Sequence, residues 1–533
     1  FIFGGNGSVE YAFREIRIQE GVFTMPNARV CSQTFIIEDG ATLNAPANST
    51  FHGWEALDIR KGGIVNLCSS AAGRLAGICG EGQIVISEES GSGYKTMSLD
   101  LYRGPYRFGG TIEGETENLT FRNYKASTSY PASETERDFV IASTNALANF
   151  GYFHAAIAPT FAAGLGEFWT GSIKGEAGVP VETTDEDGVP IRLHAGIDAN
   201  TVVTGDGDWF ARGTTTVTGR QVRVTGLIGS DEGGTLKFGN SAVGGDADIS
   251  SVAGVVANGA VEYASAGGLV QDVPLTGTGE VRISQPTTLN DFRTTGTGYL
   301  KVSGTGTVAG GESCRGRIVI SGNGDLTVRG FRTRIHGEMA EKWAAGSAYP
   351  LVKPLGLRVE ASSANSRLTV TDGAEIRCST TQSCAFPSFS LTDGGRIVLH
   401  TSGWYVSGKE DKYTVWGDGG VVRLCSWNNN YGLTFPERPD DNKWTLSVGK
   451  KGFRFDYADV RTFRVYGTYK WNDSLRAVSG VDEPEHDGGI TFAVPGVFCI
   501  NRPQSVTGPV RVEDGRLTIC QAAADGAQAG RVL

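Results

Sequence analysis

Methionine is nearly absent, three in 533 residues, and the six histidines are scattered at 52, 154, 194, 336, 400 and 486. Stretches rich in Ala, Leu, Glu and Lys are scarce as well, which argues against a helical protein. Proline numbers only 18 and glycine keeps no strict period of three, so the chain is not collagen-like. No apolar run approaches the roughly 18 residues of a membrane-crossing helix. Basic residues are in deficit: 48 Lys and Arg against 58 Asp and Glu leave a net charge of −10. A protein that neutralises phosphates needs a basic face, so no nucleic-acid partner is expected. Phe1 to Val9 lacks the basic and apolar regions of a signal peptide, and Gln521 to Leu533 stops without a cap. Both ends therefore read as cuts within a longer chain.

Glycine is abundant instead, 76 residues, twice the usual share of about 7%. Hydrophobic residues at 39%, with 25 Phe, 16 Tyr and nine Trp, suffice for a long core and exclude global disorder. One short unit recurs: a polar or acidic residue, a glycine, then an alternating apolar strand. It stands at Asp39-Gly40-Ala41-Thr42-Leu43, Lys61-Gly62-Gly63-Ile64-Val65 and Glu81-Gly82-Gln83-Ile84. It returns at Gly279-Glu280-Val281, Gly298-Tyr299-Leu300, Gly324-Asp325-Leu326, Asp372-Gly373, Asp393-Gly394, Asp418-Gly419 and Asp514-Gly515. From Gly40 to Gly62 is 22 residues, from Gly62 to Gly82 20, from Gly279 to Gly298 19, and from Gly373 to Gly394 21. Such a period means stacked repeats. Propeller blades need about twice this length, and leucine-rich repeats need a consensus that is missing.

A parallel β-helix fits. Glycine with Asp or Asn supplies the positive φ of a sharp corner, and the strand that follows turns every second residue inward. One coil alone leaves that face bare, and stacking buries it. The expected fold is all-β, a right-handed parallel β-helix (a solenoid) with inserted loops or a subdomain. Coils are expected over 1–122, 201–330 and 357–533. Residues 123–200, with the acidic turn Thr183 to Gly188, read as an insertion or small subdomain. Residues 331–356 read as an excursion with a short helix.

The stretch Asp487-Gly488-Gly489-Ile490-Thr491-Phe492-Ala493-Val494, continued by Ser505-Val506-Thr507-Gly508 and Val510 through Asp514-Gly515-Arg516-Leu517-Thr518-Ile519, resembles the autotransporter-associated β-strand repeat. Gly277 to Val328 looks like the same type of coil. The resemblance implies a passenger-type right-handed β-helix exported to the bacterial outer surface or secreted. The chain departs from it in having nine cysteines, an odd number. Cys68, Cys425 and Cys520 directly follow strand ends and are candidates for disulfides or cross-links. Burial as small apolar residues and metal binding are the other readings of these thiols.

Few motifs carry chemistry. There is no Walker-A loop, no H-E-x-x-H, no C-x-x-C and no nucleophile elbow. The Gly-His-Gly of β-helical pectin hydrolases does not occur, and Asp440-Asp441 is the one Asp-Asp pair. Asp206 with Asp208, and Asp246 with Asp248, each share one strand face and are the candidate metal ligands, for Ca²⁺; no other cofactor is implied. Each histidine reads as a surface or core residue rather than a catalyst. Trp404, Tyr405, Trp416, Trp427, Tyr431 and Trp444 crowd the last third and are the candidate binding strip, against the alternative of core filling.

The chain is therefore read as a structural or adhesive segment of a large surface or secreted protein, a stalk, fibre or scaffold without enzymatic activity. Its expected partners are other copies or other parts of the same protein, and glycans or a host or prey cell surface. Two other functions stay open: a β-helical polysaccharide lyase or glycoside hydrolase, and a carbohydrate-binding adhesin. A groove with three converging carboxylates and a base would favour the enzyme.

Overall fold

The structure, a computed structural model, describes residues 10–25, 29–46, 50–68, 72–75, 78–87, 97–101, 106–114, 119–123, 139–142, 152–155, 160–175, 180–240, 245–296, 298–340, 353–355, 357–361, 365–378, 384–385, 388–399, 404–405, 414–424, 445–457, 467–471, 476–477, 489–500, 505–506, 509–522 and 528–532. Among these residues there is no helix. The protein is all-β, and its short strands stack in parallel as a β-solenoid. The chain divides into two compact units. One holds residues up to Gly239 with Ala247–Gly254; the other holds Asn240–Asp246 and the chain from Val255 onward.

In the first unit, Glu10–Ile18, Arg29–Ile37 and Thr50–Ile59 form one parallel ladder, with Ile18, Ile37 and Ile59 in register. A second ladder runs through Gly21–Thr24, Ala41–Ala45, Ile64–Cys68, Gln83–Ser87 and Thr111–Gly114. Its inward residues Leu43, Val65 and Ile84 follow one another and are fully buried. Between those inward positions lie polar ones: Asn66 donates to Asn44 at 2.8 Å, so the outer row bonds from coil to coil.

Within 123–200, the region read as an insertion, the described strands lie on the ladder. Leu119–Asn123 pairs with Tyr152–Ala155, which pairs with Glu167–Gly175, which pairs with Arg192–Ile197. The ladder continues through Asp208–Ala211 and Leu227–Ser230. Phe168, Leu193, Trp209 and Ile228 make its buried row, and the indole N–H of Trp209 donates to the Ala195 carbonyl. The charge of the acidic turn suggests a solvent-facing loop. Asp185 is in fact buried and accepts the backbone N–H groups of Gly164, Asp187 and Val189. Those donors hold its carboxyl below the usual range, so the turn is a corner tied by its own side chain.

In the second unit two successive coils show three strands each. Tyr299–Val302, Thr305–Val308 and Glu312–Cys314 form one coil; Arg317–Ile320, Asp325–Arg329 and Arg334–His336 form the next. Leu289, Val308, Val328, Val370 and Leu391 succeed one another on one inner wall, all fully buried. Ile335, Ile376 and Ile397 do the same on another. Each such side chain contributes roughly 1.5–3 kcal/mol by leaving water, and no coil gains this without its neighbours.

Within 331–356, Arg334–His336 is a coil strand on the ladder, and Ile320 pairs with Ala361 beyond this segment. The segment's later described residues form an antiparallel pair, Glu338–Ala340 with Lys353–Leu355, and not a helix. Residues 341–352 lie outside the described residues.

The marker glycines serve two purposes, of which the sequence suggested one. Asp372-Gly373 and Asp393-Gly394 take positive φ at both residues, the geometry of a tight primed turn. Gly279 and Gly298 do not have positive φ. They are glycine because the next backbone comes too close. A Cβ on Gly279 would stand 1.7 Å from the Gly259 carbonyl oxygen, and one on Gly298 would stand 2.3 Å from that of Gly279. Asp514-Gly515 falls inside the strand Val510–Ala522 rather than at a corner.

Candidate functional site: a carboxylate cleft beside a stacked histidine

Three strands of the first unit begin with the same kind of triplet: Glu167-Phe168-Trp169, Arg192-Leu193-His194 and Asp208-Trp209-Phe210. Alternation sends the middle residue inward and leaves a charged residue and a ring on the outer wall. Parallel register then sets like beside like, Glu167 by Arg192 by Asp208 and Trp169 by His194 by Phe210.

The ring row is a stack. Trp169 and His194 are parallel with centroids 3.5 Å apart, and His194 and Phe210 are 5.4 Å apart. Guanidinium groups cover it: Arg212 lies 5.6 Å from the Trp169 ring and Arg192 5.3 Å from that of Phe210. His194 is 5% exposed, and its Nδ1 meets Asp231 at 2.8 Å. A carboxylate only accepts, so Nδ1 carries the proton. The other nitrogen, Nε2, is buried without a hydrogen-bond partner and lies 3.9 Å from Glu167.

The charged row borders a cleft of about 480 Å³, lined by Glu167, Arg192, Asp206 and Asp208 with backbone of Gly166 and Gly207. Arg192 donates to Asp208 through Nε and Nη2 at 3.2 and 3.1 Å, and the other Asp208 oxygen accepts the Leu227 N–H. Asp206 accepts the Thr225 hydroxyl at 2.9 Å. One cation thus faces three carboxylates, and it is committed to Asp208. The cleft suits a ligand rich in donors, whether hydroxyl or ammonium groups.

Two of the four aspartates proposed as metal ligands, Asp206 and Asp208, meet in this cleft. Asp246 accepts the Gly267 N–H. Asp248 accepts from the Ser250 N–H and from Arg220, and these bonds, those of Ser250 first, lower its carboxyl to about 2. Among the described residues no group of three or more His, Cys, Asp or Glu is placed to hold a metal ion. Trp404 and Tyr405 form a short strand against Cys384-Ala385, whereas Trp416 is half-buried on another ladder between Ser390 and Ser447. Trp427, Tyr431, Trp444, Cys425 and Asp440-Asp441 lie outside the described residues. Cys68 ends its strand beside Ser87, and Cys520 sits opposite Gly530.

Sequence reasoning missed Glu167, Arg192, His194 and Asp231. The recurring charged–apolar–aromatic triplet was the available signal for the first three; nothing local announced Asp231. No family model, curated protein or solved structure matches the chain.

Proposed function

We propose that the chain is a structural, adhesive segment of a larger bacterial cell-surface or secreted β-solenoid protein, a stalk, fibre or scaffold. The observation that carries this is the continuity of the buried rows. Each coil of a unit completes the next one's core, so a unit is built from repetition rather than around one catalytic hollow. Its partners are then other copies or other parts of the same protein, and glycans on a facing cell. The test is electron microscopy of the purified protein, with surface labelling of cells that express the longer protein. Fibres or ordered assemblies at the surface are expected. Dispersed particles confined to the cell interior would overturn it.

The cleft favours a second reading, a β-helical polysaccharide lyase or hydrolase. Glu167 and Asp208 occupy ladder positions two spacings apart, so their backbones are about 9.6 Å apart and their side chains can approach the roughly 6.5–9.5 Å between carboxyls of inverting glycosidases. Incubation with neutral and acidic polysaccharides, read as new reducing ends and unsaturated products, tests it. Turnover lost in Glu167→Gln supports the enzyme; binding without turnover returns the cleft to adhesion.

A further inference from the structure

In the second unit Cys314 has a base against it. Glu312–Cys314 and Arg334–His336 are neighbouring parallel strands, and Cys314 is in register with His336. Ser313 and Ile335 turn inward, which leaves Glu312 and Cys314 together on the outer side. The Cys314 sulfur lies 3.5 Å from Nδ1 and 3.8 Å from Nε2 of His336. Nδ1 also lies 2.8 Å from the Gly337 carbonyl oxygen, which only accepts, so Nδ1 holds the proton and Nε2 is the basic nitrogen. Glu312 stands 3.6 Å from Nε2, on the side where an imidazolium charge would form. The imidazole is 4% exposed while Cys314 is half-buried and open to a small reagent.

A cation follows Cys314 directly in the chain. Arg315 is fully buried, donates Nη1 to the Gly279 carbonyl, and lies 5.4 Å from the Phe292 ring. Arg334 lies beside Glu312 and Glu375 in the ladder, and Arg377, beside His336, is paired with Glu375. A thiolate is stabilised beside a histidine that takes its proton, and reactive cysteines are found in such partly exposed settings.

We propose that Cys314 is an exchange-active thiol, with His336 as its base, that takes a low-molecular-weight disulfide as a mixed disulfide. The Cys314 proton passes to Nε2. The thiolate attacks one sulfur of the disulfide, the new Sγ–S bond forms as the old S–S bond breaks, and the departing thiolate takes the proton back from the imidazolium. No other oxidant is required. The same chain contains its own controls. Cys79 is also half-buried, yet burial, followed by the charge and hydrogen bond of Asp58, pushes its thiol up to about 12. Cys378 is fully buried.

The experiment uses the full chain, 2,2′-dithiodipyridine and glutathione disulfide as probes, and peptide mass spectrometry to assign each modified thiol. Near pH 7, Cys314 is expected to react at least about tenfold faster than Cys79 and Cys378. His336→Gln should slow Cys314 by about tenfold or more near pH 7. Well above the ordinary thiol value of about 8.5, hydroxide removes the proton and the variant should catch up, which a purely structural role for His336 would not produce. Glu312→Gln, at an exposed position, should slow exchange while leaving the melting curve unchanged. Equal rates for Cys314 and Cys79 in the native chain would overturn the proposal. So would a folded His336→Gln protein that exchanges at the native rate.

Discussion

Asp231 accepts the Nδ1–H of His194 at 2.8 Å across 37 residues of chain, and so holds the imidazole on the face of Trp169. Without that acceptor a buried N–H is left unmet, which costs about 1–3 kcal/mol. Asp231→Ala should lower the urea midpoint of the first unit accordingly, and Asp231→Asn, which keeps an acceptor oxygen, should lose less. An unchanged midpoint in the alanine variant would show that the bond does not hold the stack.

The two kinds of marker glycine should respond differently to substitution. Gly322 has φ of +59° with open space around its Cβ position, so Gly322→Ala should cost about 1–2 kcal/mol and Gly322→Asn less. Gly279→Ala places a methyl carbon on the Gly259 carbonyl and must push neighbouring coils apart; more than about 2 kcal/mol is expected, with no relief from Asn. Denaturation midpoints for the four variants check this, and a rescue of position 279 by Asn would contradict it.

Arg315 is a buried cation with Nε and Nη2 unpartnered. Burial pushes its guanidinium down to about 9, which still leaves it charged at neutral pH. Arg315→Met removes that charge and keeps much of the volume, so stability at pH 7 should hold or rise, by about 1–4 kcal/mol at most. The folded value lies below the unfolded one, so the penalty is full below about 9 and eases above it. The advantage of the variant should therefore shrink as pH rises through about 9. A variant markedly less stable than the native chain at pH 7 would mean that the contact with the Gly279 carbonyl outweighs the desolvation.

Asp248 has its folded value lowered to about 2 by its bonds to Ser250 and Arg220. The stabilisation is complete above the ordinary value of 3.8 and is lost as pH falls towards about 2. Asp248→Asn should show a flatter acid limb, with its deficit present at neutral pH and gone at about pH 2. Thermal melts across that window decide it; parallel curves for the two proteins would refute the assignment.

The coil was legible because its causes are local. A corner glycine and an alternating strand leave marks within a few residues, as at Gly40 to Leu43 and again at Gly324 to Val328. The described strands within 123–200 are less legible because neither cue reports what a turn faces. Asp185 looks like a surface acid until the carboxylate is seen accepting three backbone donors. The histidines at 194 and 336 were set aside for a similar reason, since isolation in sequence says nothing about neighbours one coil away.

What the chain determines by itself is period and parity: how often a corner comes, and which residues turn inward. These follow from backbone sterics and from the exclusion of apolar side chains from water, both of which act within a single coil or its nearest neighbour. Register was decided only in three dimensions. Whether Cys314 meets His336, or Arg192 falls between Glu167 and Asp208, depends on the length of every loop between one coil and the next, and a shift of one residue along a ladder would send each of these side chains to the opposite face.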